Sequence, residues 1–239
     1  MSRQILRRIA EIRSVPEALQ VVRYVQRKLP MRFVRKPAII KDPFLLFSAP
    51  ALQRLSGIKI VLTVRHPCAF VESFTRAGHG FDFANFLQPE LLATMPAEAH
   101  AITQMASSPS RLIEQAALLW RVLYGFADTY LIGNPSTFVV RQEELVRKTD
   151  ETIARLFIFS GASQTEKIRR FVGRNFSADT ADFARSGSYF RRDSAKVLEK
   201  WHGRLTEDEV LVIRTATEPL ASKLGYGAES WSPASTPSL

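Results

Sequence analysis

An arginine and a serine at fixed spacing are the residues of this chain best suited to holding an anion. Arg65 follows a short β-branched apolar run and comes two residues before Pro67, and Ser73 lies eight residues after the arginine. Proline suits the first turn of a helix, so the pattern predicts a strand, a turn at Arg65 and a helix that carries Ser73. A guanidinium at a strand end and a hydroxyl on the next helix can both donate to one phosphate. Taken alone, the same three residues also fit an ordinary surface turn.

No other catalytic arrangement stands out in the sequence. It contains no spacing typical of metal ligands, no nucleophile triad and no Gly-x-x-x-x-Gly-Lys-Ser/Thr loop, so we expect no metal. No general base can be singled out among the candidates, which are His66, His79, His100, His202, Asp82 and Glu114. His66 adjoins the predicted turn, where packing or orientation suits it better than proton transfer.

The predicted secondary structure places Arg65 at one edge of a sheet. Short apolar runs at 38–40, 59–64 and 137–140 predict strands buried on both faces, as in a parallel sheet covered by helices. Helical periodicity occurs at 67–76 and 110–131, and a capping box at Thr206 predicts a helix that runs to about Leu224, before Gly225. Residues 77–109 have the interrupted, aromatic-rich pattern of an irregular lid. The alternation predicts an α/β domain with Arg65 at the carboxyl edge of its sheet, where such domains bind ligands.

Charge and composition divide the chain into three predicted parts. Residues 1–36 hold ten Lys or Arg against two acidic residues, whereas residues 37–239 are nearly neutral. The pattern predicts a basic amphipathic helical arm at 1–36, the α/β domain at 37–229 and a Ser/Pro-rich disordered tail at 230–239. A single cysteine, no secretory signal pattern and no long apolar run together predict a cytoplasmic protein without a membrane span.

The segment 59–74 resembles the one with which sulfotransferases grip the 3′-phosphate of their donor, 3′-phosphoadenosine 5′-phosphosulfate (PAPS). In that family a strand is followed by Arg-x-Pro and by a serine eight residues after the arginine. Further segments fit the family in the same order: Lys41-Asp42-Pro43, residues 140–145, Lys200-Trp201 and Leu224-Gly225-Tyr226. The resemblance covers 38–226 and implies a P-loop-like α/β fold, a parallel sheet flanked by helices in a sulfotransferase-like three-layer architecture.

The resemblance also implies residue roles and a reaction. Arg65 and Ser73 would bind the 3′-phosphate of PAPS, and Arg191 and Arg192 would belong to a basic loop that folds over it. Lys41 is the one catalytic candidate, facing the sulfuryl group or the acceptor, although a solvated lysine fits its position equally well. The implied reaction moves a sulfuryl group from PAPS to a hydroxyl or amine of a small-molecule or glycan acceptor, which the sequence does not identify.

The most diagnostic element of the family has no counterpart in this sequence. That element is a strand followed by Pro-Lys/Arg-Ser/x-Gly-Thr/Ser and a helix, which cradle the 5′-phosphosulfate. Arg185-Ser186-Gly187-Ser188 matches its letters, but no buried strand pattern precedes it. We therefore expect an architecture that is incomplete at its N-terminus, in a chain that is truncated or inactive alone.

Two alternatives remain open at this point. A degenerate, non-catalytic nucleotide-binding protein would keep the arginine and serine without the transfer reaction. The basic arm would also suit a module for nucleic acid or an anionic membrane surface, although its apolar faces fit packing against the domain better, so we expect no nucleic acid partner.

The missing loop yields a prediction about turnover. The purified chain should transfer no labelled sulfate from PAPS to any acceptor, because loss of even one preorganised donor at the reacting group commonly costs about 10²–10³ in rate. Restoring an upstream segment that carries the loop should restore transfer. Measurable transfer by the 239-residue chain alone would contradict the prediction.

Overall fold

The computed structural model describes residues 39–78, 80–176 and 198–232 of the protein. Ala38, His79, the basic arm and the loop with Arg191 and Arg192 lie outside these ranges, as do the segment 185–188 and most of the predicted tail.

Helices dominate the described ranges, and a small sheet lies among them. The strands are β1 (Ile60–Val64) and β2 (Thr137–Arg141). The α-helices are α1 (Ala49–Ser56), α2 (Pro67–Arg76), α3 (Pro89–Leu92), α4 (Ala99–Ser107), α5 (Leu112–Tyr130), α6 (Gln142–Arg147), α7 (Thr149–Ser160), α8 (Glu166–Phe176) and α9 (Glu207–Lys223). Short 3₁₀ helices cover Pro43–Ser48, Phe83–Phe86, Lys200–Gly203 and Ala228–Trp231. None of the helices in these ranges is both long and apolar enough to span a lipid bilayer.

The two strands confirm the predicted α/β character. They run parallel, with Ile60 opposite Thr137 and Val64 opposite Arg141, and helices α2 to α5 lie in the connection between them. Leu62 and Val64 belong to the core, which they share with residues of α2, α5 and α9. The predicted burial on both faces of the strand is wrong for β1, because Thr63 is exposed and Val61 keeps 46% of its surface exposed.

The opposite face of the sheet has contacts at β2. The Phe138 ring stacks on the Phe159 ring of α7 with centroids 5.3 Å apart. The Lys59 ammonium, one residue before β1, donates a hydrogen bond of 2.6 Å to the Phe159 carbonyl oxygen. Helix α7 is therefore tied to both strands on this side.

Three helix predictions are confirmed. Helix α2 begins at Pro67 and ends at Arg76, and α5 occupies most of the predicted span. At the start of α9 the Thr206 hydroxyl accepts from the Glu209 N–H at 3.2 Å, while the Glu209 carboxylate accepts from the Thr206 N–H at 2.8 Å. Gly225 follows the end of α9 with φ +86°, the left-handed conformation that glycine adopts without strain.

Three other predictions need correction. Ile39 and Ile40 form no strand and are 94% and 65% exposed, because no strand in the described ranges pairs with or covers them. Residues 77–109 are not an irregular lid: α3, α4 and a 3₁₀ helix lie there, and Phe83, Phe86, Met95 and Ile102 pack with α5 in a second core cluster. Ordered structure also continues past the predicted start of the tail at residue 230, since Trp231 is buried.

The packing of α9 on α2 and α5 yields a stability prediction. Ile213 of α9 is fully buried in the core cluster, whereas Leu211 two residues earlier is 62% exposed. Ile213→Ala should lower the free energy of unfolding by about 2–5 kcal/mol, because it removes buried apolar contacts and leaves a cavity. Leu211→Ala is the matched control and should cost far less. Urea unfolding measures both, and equal losses would contradict the packing of α9.

Candidate functional site

The candidate site lies where both strands end. Val64 and Arg141 are the last residues of β1 and β2 and are paired in register, so the turns after them leave the sheet at one edge. Arg65 is the first residue beyond β1, and His66 precedes the first residue of α2. The structure thus places Arg65 at the carboxyl edge of a parallel sheet, which is the usual ligand-binding edge of α/β domains.

The backbone of the Arg65 turn is held by α5. The Trp120 indole donates a hydrogen bond of 2.9 Å to the Arg65 carbonyl oxygen, and the Tyr124 hydroxyl donates one of 3.2 Å to the Thr63 carbonyl oxygen. These bonds give two carbonyl groups at the end of β1 side-chain donors from α5. The main chain at Arg65 is therefore fixed independently of its side chain.

Glu143 connects three parts of the chain at this edge. One of its carboxylate oxygens accepts from the His66 N–H at 3.1 Å, and the other accepts from the Tyr226 hydroxyl at 2.8 Å. Next to it, the Arg141 guanidinium donates to the Gly225 carbonyl oxygen at 2.6 Å. A Cβ at residue 225 would collide with that guanidinium, so a glycine fits here for steric reasons as well as for its backbone conformation. The segments 140–145 and 224–226, both singled out from the sequence, thus contact each other, and Glu143 of the first segment also contacts the turn after β1.

His66 is enclosed by aromatic side chains. Its Nδ1 accepts from the Cys68 N–H at 3.2 Å and caps α2, and its ring stacks on Trp201 with centroids 5.0 Å apart. Tyr226 and Trp231 contact the same ring edge-on. Burial, with a contribution from the neighbouring His202, lowers the pKa of His66 to about 3. The imidazole is neutral and enclosed, which fits the expected packing and orienting role and makes it unsuitable as a general base.

The Arg65 guanidinium is half-buried and uncommitted. Its Nε is buried without a hydrogen-bond partner, and the side chain forms no hydrogen bond or ion pair with any residue in the described ranges. Burial lowers the pKa of Arg65, while the nearby carboxylates of Glu72 and Glu143 act to raise it. A buried cationic donor without a partner is costly, and an anionic ligand would satisfy it.

Ser73 lies on α2 and is also half-buried. Its hydroxyl forms no hydrogen bond within the described ranges, in contrast to Thr75 on the same helix, whose hydroxyl donates to the carbonyl oxygens of Val71 and Glu72. Arg65 and Ser73, which the sequence predicts as phosphate ligands, therefore both have side-chain donors without a partner in the described ranges.

Sequence reasoning missed a charged cluster beside Arg65. The Glu72 carboxylate is buried and accepts from the Arg76 Nε at 3.0 Å and from the Arg204 Nη1. Burial acts to raise the pKa of Glu72, but the hydrogen bonds and charges of Arg204 and Arg76 outweigh it, and the pKa lies below its usual value. The spacing of Glu72 and Arg76 on one helix could have indicated their pairing. Nothing in the sequence links either residue to Arg204.

The remaining predicted residues are elsewhere. Lys41 is exposed and follows no strand, because residues 39–42 have no regular structure. Arg191 and Arg192 lie outside the described residues. The structure therefore does not bring Lys41 to a strand end as expected.

A cavity of about 390 Å³ opens beside the Glu143 contacts. Its lining combines charged and aromatic side chains, among them Arg141, Glu143, Arg147, Trp201, His202 and Tyr226. Arg65 and Ser73 do not line it. Within the described part of the chain, no group of three His, Cys, Asp or Glu side chains is arranged to hold a metal ion.

Comparisons with known proteins identify no family for the chain. No protein-family model matches it, and no curated protein sequence matches it significantly.

The buried His66 yields a pH prediction. An unfolded histidine titrates near 6.5 and folded His66 near 3, so between these values the unfolded chain binds a proton that the folded chain does not. Unfolding should therefore become easier as the pH falls below about 6.5, with a slope of up to about 1.4 kcal/mol per pH unit from this residue. His66→Asn should remove that slope, because asparagine caps a helix without titrating in this range.

Urea unfolding at several pH values between about 4 and 7 tests this. His100→Asn, at an exposed position on α4, is the matched control and should keep the slope of the wild type. A slope in His66→Asn equal to that of the wild type would show that His66 binds its proton equally in the folded and unfolded protein.

Proposed function

We propose that the chain is a sulfotransferase-like protein that binds PAPS through its 3′-phosphate, with Arg65 and Ser73 as ligands. The reaction supported by the resemblance is transfer of the sulfuryl group of PAPS to an acceptor hydroxyl or amine. The residues of the sequence account for gripping the donor and not for stabilising the sulfuryl group, which the family does with a loop that this sequence lacks. Binding of the donor is therefore the activity assigned to this chain.

The state of Arg65 carries the proposal. A guanidinium that is half-buried at the carboxyl edge of a parallel sheet, with its Nε lacking a hydrogen-bond partner among the described residues, is suited to a ligand with several acceptor oxygens. A phosphate monoester is such a ligand, and it would satisfy the orphaned donor. The open hydroxyl of Ser73 on the following helix adds a neutral donor from a second element.

Contacts among the segments that carry the resemblance support the same reading. Residues 140–145 supply Glu143 to the His66 N–H, and Tyr226 donates to the same carboxylate. Trp201 packs its ring on His66. Three of the segments that resemble the family, 140–145, Lys200-Trp201 and Leu224-Gly225-Tyr226, thus meet around the Arg65 turn, as expected if they serve one site.

The proposal extends to the architecture. Leu62 and Val64 face the helical layer that contains α5, whereas Phe138 contacts Phe159 of α7 on the other side of the sheet. Helices on both sides of a parallel sheet support a sulfotransferase-like three-layer arrangement, of which β1 and β2 would be two neighbouring strands.

The degenerate binding protein is the second candidate, favoured by the lack of a phosphosulfate loop in the sequence. It would use the same Arg65 site, so the two functions differ only in sulfuryl transfer. Lys41, exposed before the Pro43–Ser48 turn, gives no support for a catalytic role in its present position.

Calorimetric titration with 3′-phosphoadenosine 5′-phosphate, the product nucleotide, tests the proposal. Arg65→Ala should weaken binding at least tenfold, because each hydrogen bond to a charged group contributes about 1.5–3 kcal/mol. Arg65→Lys should recover only part of the affinity, since an ammonium lacks the guanidinium fork. Ser73→Ala should cost less than Arg65→Ala.

Two controls make the test specific. Arg111→Ala removes an exposed arginine that pairs with Glu114, three residues later, and not with a residue of the candidate site. This variant should bind like the wild type. Adenosine 5′-phosphate lacks the 3′-phosphate and should bind equally weakly to the wild type and to Arg65→Ala. A folded Arg65→Ala protein that binds the 3′-phosphorylated nucleotide as tightly as the wild type would disprove the assignment.

A further inference from the structure

We propose that Arg76 and Arg204, held by the buried Glu72, complete the Arg65 site as further ligands of a phosphate monoester. Arg65, Glu72, Arg76 and Arg204 are here called the arginine cluster. The inference rests on the proposed function, because it places the same 3′-phosphate among these side chains.

The cluster is organised around one carboxylate. Only 6% of the Glu72 side chain is exposed, and it accepts hydrogen bonds from Arg76 on its own helix and from Arg204, which lies 132 residues further along the chain. Glu72 is the carboxylate that most favours the charged form of Arg65, whereas the charge of Arg76 disfavours it. Arg76 and Arg204 are therefore joined through Glu72, and Trp201, three residues before Arg204, stacks on His66 next to Arg65.

The charges of the cluster do not balance. Three guanidinium groups are set against the carboxylates of Glu72 and Glu143, which both lie near Arg65, and this leaves one positive charge in excess. The oxygens of Glu143 accept from the His66 N–H and the Tyr226 hydroxyl, so this carboxylate is held by neutral donors and forms no ion pair with Arg65. An anionic ligand would compensate the excess, whereas like charges held together without one repel each other.

The cluster also has unused donors. Glu72 takes the Nε of Arg76 and one terminal nitrogen of Arg204, so the other N–H groups of both side chains are left without a partner in the described ranges. Their side chains are 57% and 44% exposed, and a ligand can reach them from solvent. Arg65 would contact the same ligand from the buried side. Ser73 lies one helical turn before Arg76, on the same face of α2.

The position of Arg204 explains how a distant segment reaches the site. Arg204 follows the Lys200–Gly203 turn, whose Trp201 is fixed against His66. The turn thus brings Arg204 over α2, and Glu72 fixes the direction of its guanidinium. Glu72 is a positioning residue in this arrangement, because it acts on the anion only through the arginines.

Calorimetric titrations of the full chain with 3′-phosphoadenosine 5′-phosphate and with inorganic phosphate test the inference. Arg204→Ala and Arg76→Ala should each weaken binding of both probes about tenfold, and Arg111→Ala should leave binding unchanged. Arg204→Lys, which keeps the charge, should recover part of the loss. It also keeps the test decisive if Arg204→Ala fails to fold.

Glu72→Gln separates positioning from simple charge effects. Removal of a negative charge beside an anion should strengthen anion binding if Glu72 acts only through its charge. Loss of the carboxylate that orients both arginines should instead weaken it several-fold, which is the result we expect. Tighter binding by Glu72→Gln would overturn the positioning role.

The outcomes distinguish this inference from the proposed function. If nucleotide binding depends on Arg65 while Arg76→Ala and Arg204→Ala behave like Arg111→Ala, the cluster is overturned and the nucleotide site stands. If phosphate binding depends on all three arginines but the 3′-phosphorylated nucleotide binds no better than phosphate, the cluster stands and the nucleotide assignment fails. Binding of neither probe to the wild type overturns both.

Discussion

The Glu143 carboxylate is the contact on which the geometry of the sheet edge depends. It accepts a hydrogen bond from the His66 N–H at the start of α2, where backbone donors have no partner within the helix. It also accepts a hydrogen bond from the hydroxyl of Tyr226, which lies in the segment after α9 and is buried. A single side chain therefore satisfies two donors from segments that are far apart in the sequence. Loss of both bonds would leave a buried backbone N–H and a buried hydroxyl unsatisfied, each at a cost of about 1–3 kcal/mol.

Around this contact the fold separates a rigid part from an adaptable part. The main chain from Thr63 to Cys68 is held by Trp120, Tyr124, Glu143 and the imidazole of His66. The side chains of Arg65 and Ser73, which extend from or follow that main chain, are not fixed by described residues. Such an arrangement suits a ligand site, because the backbone positions the donors and leaves their hydrogen-bonding capacity unused.

Local patterns predicted the elements that carry the site. The β-branched run of β1, the proline at the start of α2 and the capping box of α9 are signals within a few residues, and all three correspond to observed elements. Ile39 and Ile40 carry a similar apolar signal but form no strand, because a strand requires a neighbour that the local sequence does not supply. The contacts of Glu72 with Arg204 and of Glu143 with His66 span 132 and 77 residues. Since tertiary packing alone sets such pairs, the sequence predicted Arg65 and Ser73 but not their charged surroundings.

The reactivity of the single cysteine of the chain reports how readily the segment around this site opens. Cys68 is fully buried one residue after Pro67, and burial raises the pKa of its thiol even though its N–H lies at a helix start, where a thiolate is otherwise favoured. An alkylating reagent can react only when the turn between β1 and α2 opens. The rate of modification of this one sulfur therefore reports the opening free energy of the segment that carries Arg65. A ligand that bridges Arg65 to α2 would slow it, even if the ligand never touches the sulfur.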